Sequence, residues 1–398
     1  MSGAGPLIEI LIDRDGPLTR AAVVSDGRLT DLHIDHADHP SLLGRMFLGR
    51  VERIVTAMDA AFVDLGEGLS GFLAAADVRR ADGKPKQGND RIGTLLRTGQ
   101  PVLVQVKADP VGAKGPSLTM DVTLPGRFLI HAPFGRDIAV SKRLGAGPAR
   151  AELTKRIQSL VTGSGWIVRA GAAQAGDDRL AAESEALHLA WRGIRDAAAS
   201  APVPSLLYSG ADATARLLTE LGGTVPARIL VDGPDLAKPL SAWCADRTPD
   251  LLPLIEQHKD PRRLFDLRDL DGAIAELLGT RVALPRGGSL VIEPTEALTV
   301  VDVNAGERGN PLEVNLEAAA EIARQLRLRN VGGIVVVDFV NMRARSDAER
   351  VLNALTEAVE SDPVQTQVYG MSKLGLVEVT RARRGSPLSA LLRVAHRP

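Results

Sequence analysis

Two aspartates are the residues of this sequence whose type and spacing best suit metal chemistry. Asp302 interrupts the apolar run 298–303 and Asp338 interrupts the apolar run 334–340, each near the carboxyl end of its run. Burying a lone carboxylate costs free energy, so two of them at matched positions indicate a shared task. Asn304 lies two residues beyond Asp302 and would leave the same face of an extended strand.

A strand, helix and strand would bring the two aspartates together. Residues 316–329 predict an amphipathic helix whose first turn Asn315 would cap and which Gly332-Gly333 would end. The crossover between the two strands would be right-handed and the strands parallel. Their continuous apolar runs are typical of strands covered on both faces. Both carboxylates are then expected at one edge of the sheet, where ligands bind in such folds.

Two carboxylates at one sheet edge repel each other unless a cation neutralises them. Magnesium takes one or two carboxylates together with water and substrate phosphate. The pattern therefore predicts phosphoryl transfer or phosphodiester cleavage. The alternative is that both aspartates merely end strands and cap loops.

A separate set of short strands predicts a small barrel of the oligonucleotide-binding kind. The strand-like runs are 48–55, 60–65, 71–75, 102–107 and 117–122, with a polar loop over 81–89. Phe62 shares a strand face with Asp64, and Phe72 follows on the next strand. Such aromatics can stack on nucleic-acid bases, with Lys107 and Lys114 nearby for phosphate. The alternative is that both phenylalanines belong to the barrel core.

Composition excludes several classes of protein. Of 398 residues, 44% are hydrophobic and 24% charged, which is ordinary for a globular chain rather than a disordered one. No apolar run reaches the roughly 18 residues of a membrane span, and residues 1–6 lack a secretory-signal pattern. The single cysteine, Cys244, excludes an intrachain disulfide and a cysteine-based zinc site within one chain. We expect a reducing cytosol.

Charge is balanced over the chain but locally clustered. The net charge is −1, yet residues 141–156 hold five basic residues and one acid, and residues 373–398 hold six and one. Basic clusters on a neutral chain suit local contact with a polyanion. A solvated basic surface is the alternative.

Several stretches resemble the ribonuclease E/G family, in order and along nearly the whole chain. They are Val-Val-Asp-Val-Asn at 300–304, Ala-Arg-Gln-Leu-Arg-Leu-Arg at 323–329, Gly-Gly-Ile-Val-Val-Val-Asp-Phe at 332–339, Ala-Ala-Phe-Val-Asp at 60–64, Gly-Phe-Leu at 71–73, Lys114-Gly115 with Leu118-Thr119, and Gly-Leu-Val-Glu at 375–378. The helical run together with the two aspartate strands is the most specific of these.

The resemblance implies an α/β multidomain fold. A ribonuclease H-like scaffold would comprise residues 1–41 and 203–279. It would be interrupted by an S1 RNA-binding barrel, 42–125, and a 5′-sensor-like region, 126–202. A DNase I-like α/β catalytic domain, 280–398, would follow.

The resemblance also implies a function and the residues that perform it. The chain would be a magnesium-dependent endoribonuclease, with manganese as an alternative ion, that cuts single-stranded and A/U-rich RNA in cytoplasmic RNA processing or turnover. It would leave 5′-phosphate and 3′-hydroxyl ends. Asp302 and Asp338 would hold the metal, and Asn304 would contact the scissile phosphate or order the metal's water shell. The expected RNA contacts are Phe62, Phe72, Lys114, Lys142, Arg143 and, for a 5′-monophosphate, Arg169.

The sequence departs from the family pattern at several positions. It lacks the two-cysteine zinc motif, so we expect no zinc and no zinc-linked tetramer, but a homodimer or a monomer. Ala170 stands where threonine is usual, which predicts a weak preference for 5′-monophosphorylated RNA. The loop 305–311 is short, Asn341 replaces an acid, and Leu374 replaces a phenylalanine. The alternative function is an RNA-binding protein of the same lineage with lost or weak catalysis.

Overall fold

The chain folds as two units, each assembled from separated stretches of sequence. In the computed structural model, unit 1 comprises Met1–Asp38, Pro226–Leu236 and Glu256–Pro398, and unit 2 comprises His39–Val225 and Ala237–Ile255. The structure describes residues 6–395 apart from 81–87, 89, 111, 113, 142, 143, 146 and 164. The predicted RNA contacts Lys142 and Arg143, and nearly all of the polar loop 81–89, therefore lie outside the described residues.

Strands and helices follow one another along the whole chain. The strands are β1 (Ile8–Asp15), β2 (Leu18–Ser25), β3 (Arg28–His36), β4 (Met46–Val55), β5 (Ala60–Asp64), β6 (Ser70–Ala74), β7 (Pro101–Ala108), β8 (Ser117–Thr119), β9 (Leu124–Pro125), β10 (Leu129–His131), β11 (Ile138–Val140), β12 (Trp166–Val168), β13 (Ser205–Tyr208), β14 (Arg228–Val231), β15 (Ile255–Gln257), β16 (Arg281–Ala283), β17 (Ser289–Pro294), β18 (Leu298–Asn304), β19 (Gly333–Asp338), β20 (Thr366–Met371) and β21 (Leu376–Arg381). The α-helices are α1 (Ile92–Leu95), α2 (Pro148–Leu160), α3 (Asp177–Ser200), α4 (Ala213–Glu220), α5 (Pro234–Arg247), α6 (Leu270–Glu276), α7 (Pro311–Leu328), α8 (Arg345–Glu360) and α9 (Leu388–Ala395). None of the helices in the described part of the chain is long and apolar enough to cross a membrane.

The first sheet joins the beginning of the chain to residues much further along it. Its strand order is β15-β14-β1-β2-β3. Strands β1, β2 and β3 form an antiparallel meander, while β14 runs parallel to β1. The short apolar runs 7–12 and 21–24 predict two strands, and β1 and β2 confirm both. Leu11, Ala22 and Phe265 are buried against this sheet.

The sequence over 262–278 predicts one helix ending near Gly279, and this prediction is wrong as a single element. A 3₁₀ turn, Phe265–Arg268, and helix α6 replace it, and Asp269 between them adopts φ +48°. Aspartate enters this left-handed region more readily than most residues. A continuous α-helix cannot pass through that conformation, so the helical pattern is divided in two.

Unit 2 contains the predicted barrel. Strands β4-β5-β6-β8-β7 pair in that order and β7 pairs back to β4, so the five strands close on themselves. Only β6 and β8 run parallel within it. A Cβ added at Gly71 would lie 2.6 Å from Leu118 Cδ1, so this position accepts only glycine without rearrangement. All five predicted strands are confirmed.

A smaller sheet, β11-β12-β10-β9, packs with α2 and α3 in unit 2. Glu183 on α3 accepts hydrogen bonds from the backbone N–H groups of Arg127, Phe128 and Leu129. Burial raises the pKa of this carboxyl, and the three backbone donors oppose that shift without cancelling it. The contact fixes the chain where it enters β10.

The sheet that carries the two aspartates is covered on one face. Its order is β16-β17-β18-β19-β21-β20, with α7 and α8 packed on the buried face. Exposure alternates along β18, where Val301 is fully buried and Val300 is 37% exposed. The expectation of coverage on both faces is therefore wrong. We call the face that bears Val300, Asp302 and Asn304 the open face.

Part of the predicted basic clusters is structural. Arg381, from the second cluster, is buried and donates to Asp362 at 2.7 Å, with both side chains at most 5% exposed. Arg156, from the first cluster, pairs with Asp177. Arg381 therefore stabilises the fold and is not available to bind a polyanion, whereas the exposed pair of Arg156 contributes little to stability.

Stability should depend on the protonation of one buried histidine in unit 2. His131 stacks on Trp166 with ring centroids 4.4 Å apart, and burial followed by the nearby His188 lowers its pKa to about 4. An unfolded histidine titrates near 6.5. The unfolded chain therefore binds this proton first, and stability is lost as the pH falls from about 6.5 towards 4.

We expect His131→Phe to reduce that loss by up to about 3 kcal/mol at pH 4, because the ring stack is kept and the titrating group is removed. The measurement is the thermal midpoint as a function of pH. His39→Gln, at an exposed histidine, is the control and should retain the wild-type slope. Equal slopes for wild type and His131→Phe would contradict the assignment.

Candidate active site

The parallel pairing of β18 with β19 places the two aspartates side by side. Asp302 is the direct register partner of Asp338, and both side chains are exposed. Neighbouring strands are about 4.8 Å apart, so one cation can reach both carboxylates. The predicted strands, their parallel direction and the meeting of the two aspartates are confirmed.

Asn304 belongs to the same arrangement. Its Nδ2 donates to Oδ2 of Asp302 at 2.7 Å, as two side chains on one strand face can. The contact fixes the orientation of that carboxylate. An amide nitrogen carries two hydrogens, so Asn304 keeps a second donor for another oxygen.

The helix that connects the two strands begins earlier than predicted. Asn310 caps α7 by accepting from the backbone N–H of Leu312, and Pro311 occupies the first turn, where the missing N–H has no cost. Asn315 is not the cap. It lies fully buried inside the helix, donates through Nδ2 to the carbonyl of Val340 at 2.8 Å and accepts from the N–H of Val340 at 3.0 Å. It therefore fixes the chain two residues beyond Asp338.

The loop before α7 is braced by an ion pair. Arg308 lies 2.7 Å from Glu317 on α7, and the backbone N–H of Arg286 also donates to Glu317. Burial would raise the pKa of Glu317, but these two donors outweigh it and the pKa is lowered. The short loop 305–311 is thus held against the edge of the sheet next to Asn304.

The donor set suits a hard cation that keeps several waters. The structure's described residues contain no group of three or more His, Cys, Asp or Glu side chains that could hold a metal. Asp302 and Asp338 form no ion pair with any residue described. Two carboxylates and a neighbouring amide, all oxygen ligands and open to solvent, fit magnesium better than a metal that prefers nitrogen or sulfur.

Two aromatic rings lie on the outside of the barrel, in unit 2. Phe62 is the register partner of Phe72, with ring centroids 5.8 Å apart and planes at 74°. Both are half-buried, whereas Ala61 and Val63, which flank Phe62 on β5 and face the other way, are fully buried. The two phenylalanines therefore do not belong to the barrel core.

Sequence reasoning missed an arginine, Arg53, that packs against one of these two phenylalanines. The Arg53 guanidinium lies over the Phe62 ring, 4.6 Å from its centroid. The strand register shifts between Val51 and Arg53, which makes Arg53 the partner of Phe62. Alternation along β4 does not reveal a bulge, so the sequence carries no direct signal for this contact.

The remaining predicted RNA contacts also lie in unit 2. Lys114 is exposed beside Gly115, where an added Cβ would be only 2.2 Å from the carbonyl oxygen of Ser70 on β6. Arg169 follows β12 and donates through Nη1 to the carbonyls of Gly126 and Thr219, both at 2.9 Å. Lys107, by contrast, forms an ion pair with Asp77.

Comparison with known proteins identifies relatives over most of the chain. The model of the Ribonuclease E/G family matches residues 123–384. Ribonuclease E of Nostoc sp. (strain PCC 7120) is 37% identical over 385 residues, which cover 93% of this chain and 55% of that protein. Ribonuclease G of Escherichia coli (strain K12) is 34% identical over 398 residues, covering 96% of this chain and 81% of that protein. Ribonuclease G of Haemophilus influenzae is 32% identical over 399 residues, covering 97% and 81%.

Two asparagines near the start of α7 should differ in their effect on stability. Asn315→Ala removes a fully buried amide and leaves the N–H and carbonyl of Val340 unpaired, and we expect a loss of about 3 kcal/mol in the free energy of unfolding. Asn310→Ala removes only an exposed cap and should cost about 1 kcal/mol. Urea unfolding of both variants tests this. A loss of stability for Asn315→Ala no larger than that for Asn310→Ala would contradict the role assigned to the buried amide.

Proposed function

This chain belongs to the ribonuclease E/G family, a family of endoribonucleases, and we propose that it cuts single-stranded RNA with magnesium held by Asp302 and Asp338. The observation that carries the proposal is the register pairing of two exposed, unneutralised carboxylates beside Asn304. We propose 5′-phosphate and 3′-hydroxyl products, and a role in RNA processing or turnover.

Asp302 and Asp338 are proposed as metal ligands, and Asn304 is proposed to contact the phosphate. When bound, magnesium would supply Lewis-acid polarisation of the phosphate and of a water. Asp302 and Asp338 would supply the two charged ligands, and the hydrogen bond from Asn304 would keep Asp302 in position. The second N–H of Asn304 would donate to a non-bridging phosphate oxygen. A water oxygen would bond to phosphorus and release a proton to solvent, while the bond to the 3′ oxygen breaks and that oxygen takes up a proton from solvent.

The outer face of the barrel would hold the RNA strand. Phe62 and Phe72 offer ring faces and edges on which bases can stack, and stacking of this kind tolerates many sequences. The Arg53 guanidinium, which lies over Phe62, would contact the phosphate backbone of the RNA. Lys114 is proposed as a further phosphate contact of this S1-like barrel, and Lys142 and Arg143 as phosphate contacts of the region that follows it. We keep A/U-rich RNA as the proposed preference.

Arg169 is proposed to contact a 5′-monophosphate, but only weakly. One of its terminal nitrogens already donates to two backbone carbonyls, and Ala170 lacks a hydroxyl to assist it.

We propose a cytoplasmic enzyme. In support, Cys244 is buried and burial raises its thiol pKa, which suits an inert thiol in a reducing compartment.

Loss of either aspartate should abolish cleavage while RNA binding persists. We expect Asp302→Asn and Asp338→Asn each to lower the rate on a labelled A/U-rich RNA about a hundredfold or more, because one of two charged ligands is lost. Glu293→Gln, an exposed acid on the open face, is the matched control and should stay within about twofold of wild type. The assay measures cleavage with magnesium and binding in its absence.

The same assay separates the alternative. Tight RNA binding without cuts by the wild-type chain would favour an RNA-binding protein with lost catalysis. Equal cutting by wild type and both aspartate variants would show that the site is elsewhere.

The barrel aromatics should control RNA affinity rather than chemistry. Phe62→Ala and Phe72→Ala should each weaken binding of single-stranded RNA about tenfold, measured without metal, because a stacking surface is lost. Leu206→Ala removes an exposed apolar side chain from β13 on the same sheet and should leave affinity unchanged. Equal affinities for all variants would exclude the barrel surface as the RNA platform.

A further inference from the structure

A cavity of about 840 Å³ lies within unit 1, next to the candidate active site. It is bounded by the turn into β3, by α6, by β16 and by α7. Asn304 and Gly306 form part of its wall, so the cavity reaches the residue that orients Asp302. Its volume is within the range of pockets that bind small molecules in proteins, about 300–1,000 Å³.

The wall of this cavity contains a buried hydroxyl with no protein partner. Ser289 is 4% exposed, and its Oγ has no hydrogen-bond partner among the residues described. Ser289 is the register partner of Asn304, so it lies on the strand next to the active-site edge. Nη2 of Arg329 is likewise buried and without a partner, while Nε and Nη1 of that arginine bond Gln325 and Gly279, which line the cavity. Buried polar groups are rarely left unpaired, so the Ser289 hydroxyl, which lines the cavity, is open to a hydrogen bond with a bound molecule.

One arginine that lines the cavity forms no ion pair with any described residue. Four arginines line the wall, and three of them are held by buried glutamates. These are Arg28 and Arg324, both paired with Glu321, and Arg268, paired with Glu9. Arg281 is exposed and forms no ion pair with any residue in the described part of the chain. A guanidinium in this state is suited to bind a phosphate through two parallel N–H donors.

The rest of the wall offers an apolar surface. Leu29, Leu270, Leu277 and Val282 contribute to it, with Ala273 between them. A ligand that satisfies the whole cavity therefore has an anionic end for Arg281, a flat or apolar body, and an acceptor or donor for Ser289.

We propose that this cavity binds a nucleoside 5′-phosphate, with its phosphate on Arg281 and its base against the apolar wall near Ser289. Two sources share that chemistry. One is a nucleotide of the RNA strand a short distance from the scissile phosphate, and the other is a free mononucleotide that regulates the enzyme. The choice between them rests on the proposed cleavage of RNA, whereas the binding itself does not.

Titration with AMP and UMP tests the binding directly. The chain is titrated in magnesium-free buffer containing EDTA, so that the two aspartates do not contribute a metal site. We expect saturable binding of a mononucleotide at one site, about tenfold weaker in Arg281→Gln and about fivefold weaker in Ser289→Ala. Arg286→Gln, an exposed arginine outside the cavity on the same hairpin, is the matched control and should bind like wild type. The thermal midpoint of Ser289→Ala should equal or exceed that of wild type, since it removes an unpaired buried group. The midpoints of Arg281→Gln and Arg286→Gln, at exposed side chains, should equal that of wild type.

Kinetics with magnesium and RNA distinguish the two sources. If the nucleotide belongs to the substrate, Arg281→Gln raises KM for RNA and AMP competes with RNA. If it is a free regulator, AMP changes kcat and Arg281→Gln removes that response while KM is unchanged. Either result supports the pocket.

Other results would overturn it. Absence of mononucleotide binding together with an unchanged KM in Arg281→Gln would mean that only water pairs with Ser289. Binding that neither Arg281→Gln nor Ser289→Ala weakens would place the nucleotide elsewhere. Because the titration needs no cleavage, these outcomes are independent of whether Asp302 and Asp338 are catalytic.

Discussion

Repulsion between two neighbouring carboxylates is the constraint on which the rest of unit 1 depends. Asp302 and Asp338 are held in direct register on adjacent parallel strands. At an exposed site this repulsion costs on the order of 1 kcal/mol, and no described arginine or lysine pairs with either group. The packing of α7 on Val301 and Val337 and the buried amide of Asn315 keep the strands together despite it. The fold thus supplies a fixed negative site suited to a cation.

The same constraint accounts for the one-sided architecture of this sheet. Helices on both faces would bury the two carboxylates at a much higher cost. With α7 and α8 on one face, the other face stays accessible to a polymer as well as to an ion. The barrel follows an equivalent plan, since its apolar residues fill the interior while Phe62 and Phe72 remain on the outside. Asp302, Asp338 and Asn304 in unit 1, and Phe62 and Phe72 in unit 2, therefore lie on surfaces that core packing does not use.

The site was largely predictable from sequence because its determinants are local. Apolar runs, a helical period and the handedness of the crossover suffice to bring Asp302 to Asp338. The errors arise where a distant or conformational partner decides. Asn315 forms hydrogen bonds with Val340 instead of capping a helix, and Arg381 forms a buried ion pair with Asp362. Asp269 breaks a helix by adopting a left-handed conformation. Side-chain pairing across 19 or 25 residues leaves no periodic signal in the chain.

The parallel pairing of β1 with β14 has a consequence for synthesis of the chain. Glu9 on β1 contacts Arg228 on β14, 219 residues later. At about 5–20 residues per second, the ribosome needs about 10–40 s to deliver that partner. By the end of this interval every strand of the barrel, complete by Thr119, has been synthesised, whereas the side of β1 that pairs with β14 has stayed unpaired. Nascent chains are therefore most open to mispairing at their first strand, and conditions that slow elongation lengthen that period of exposure.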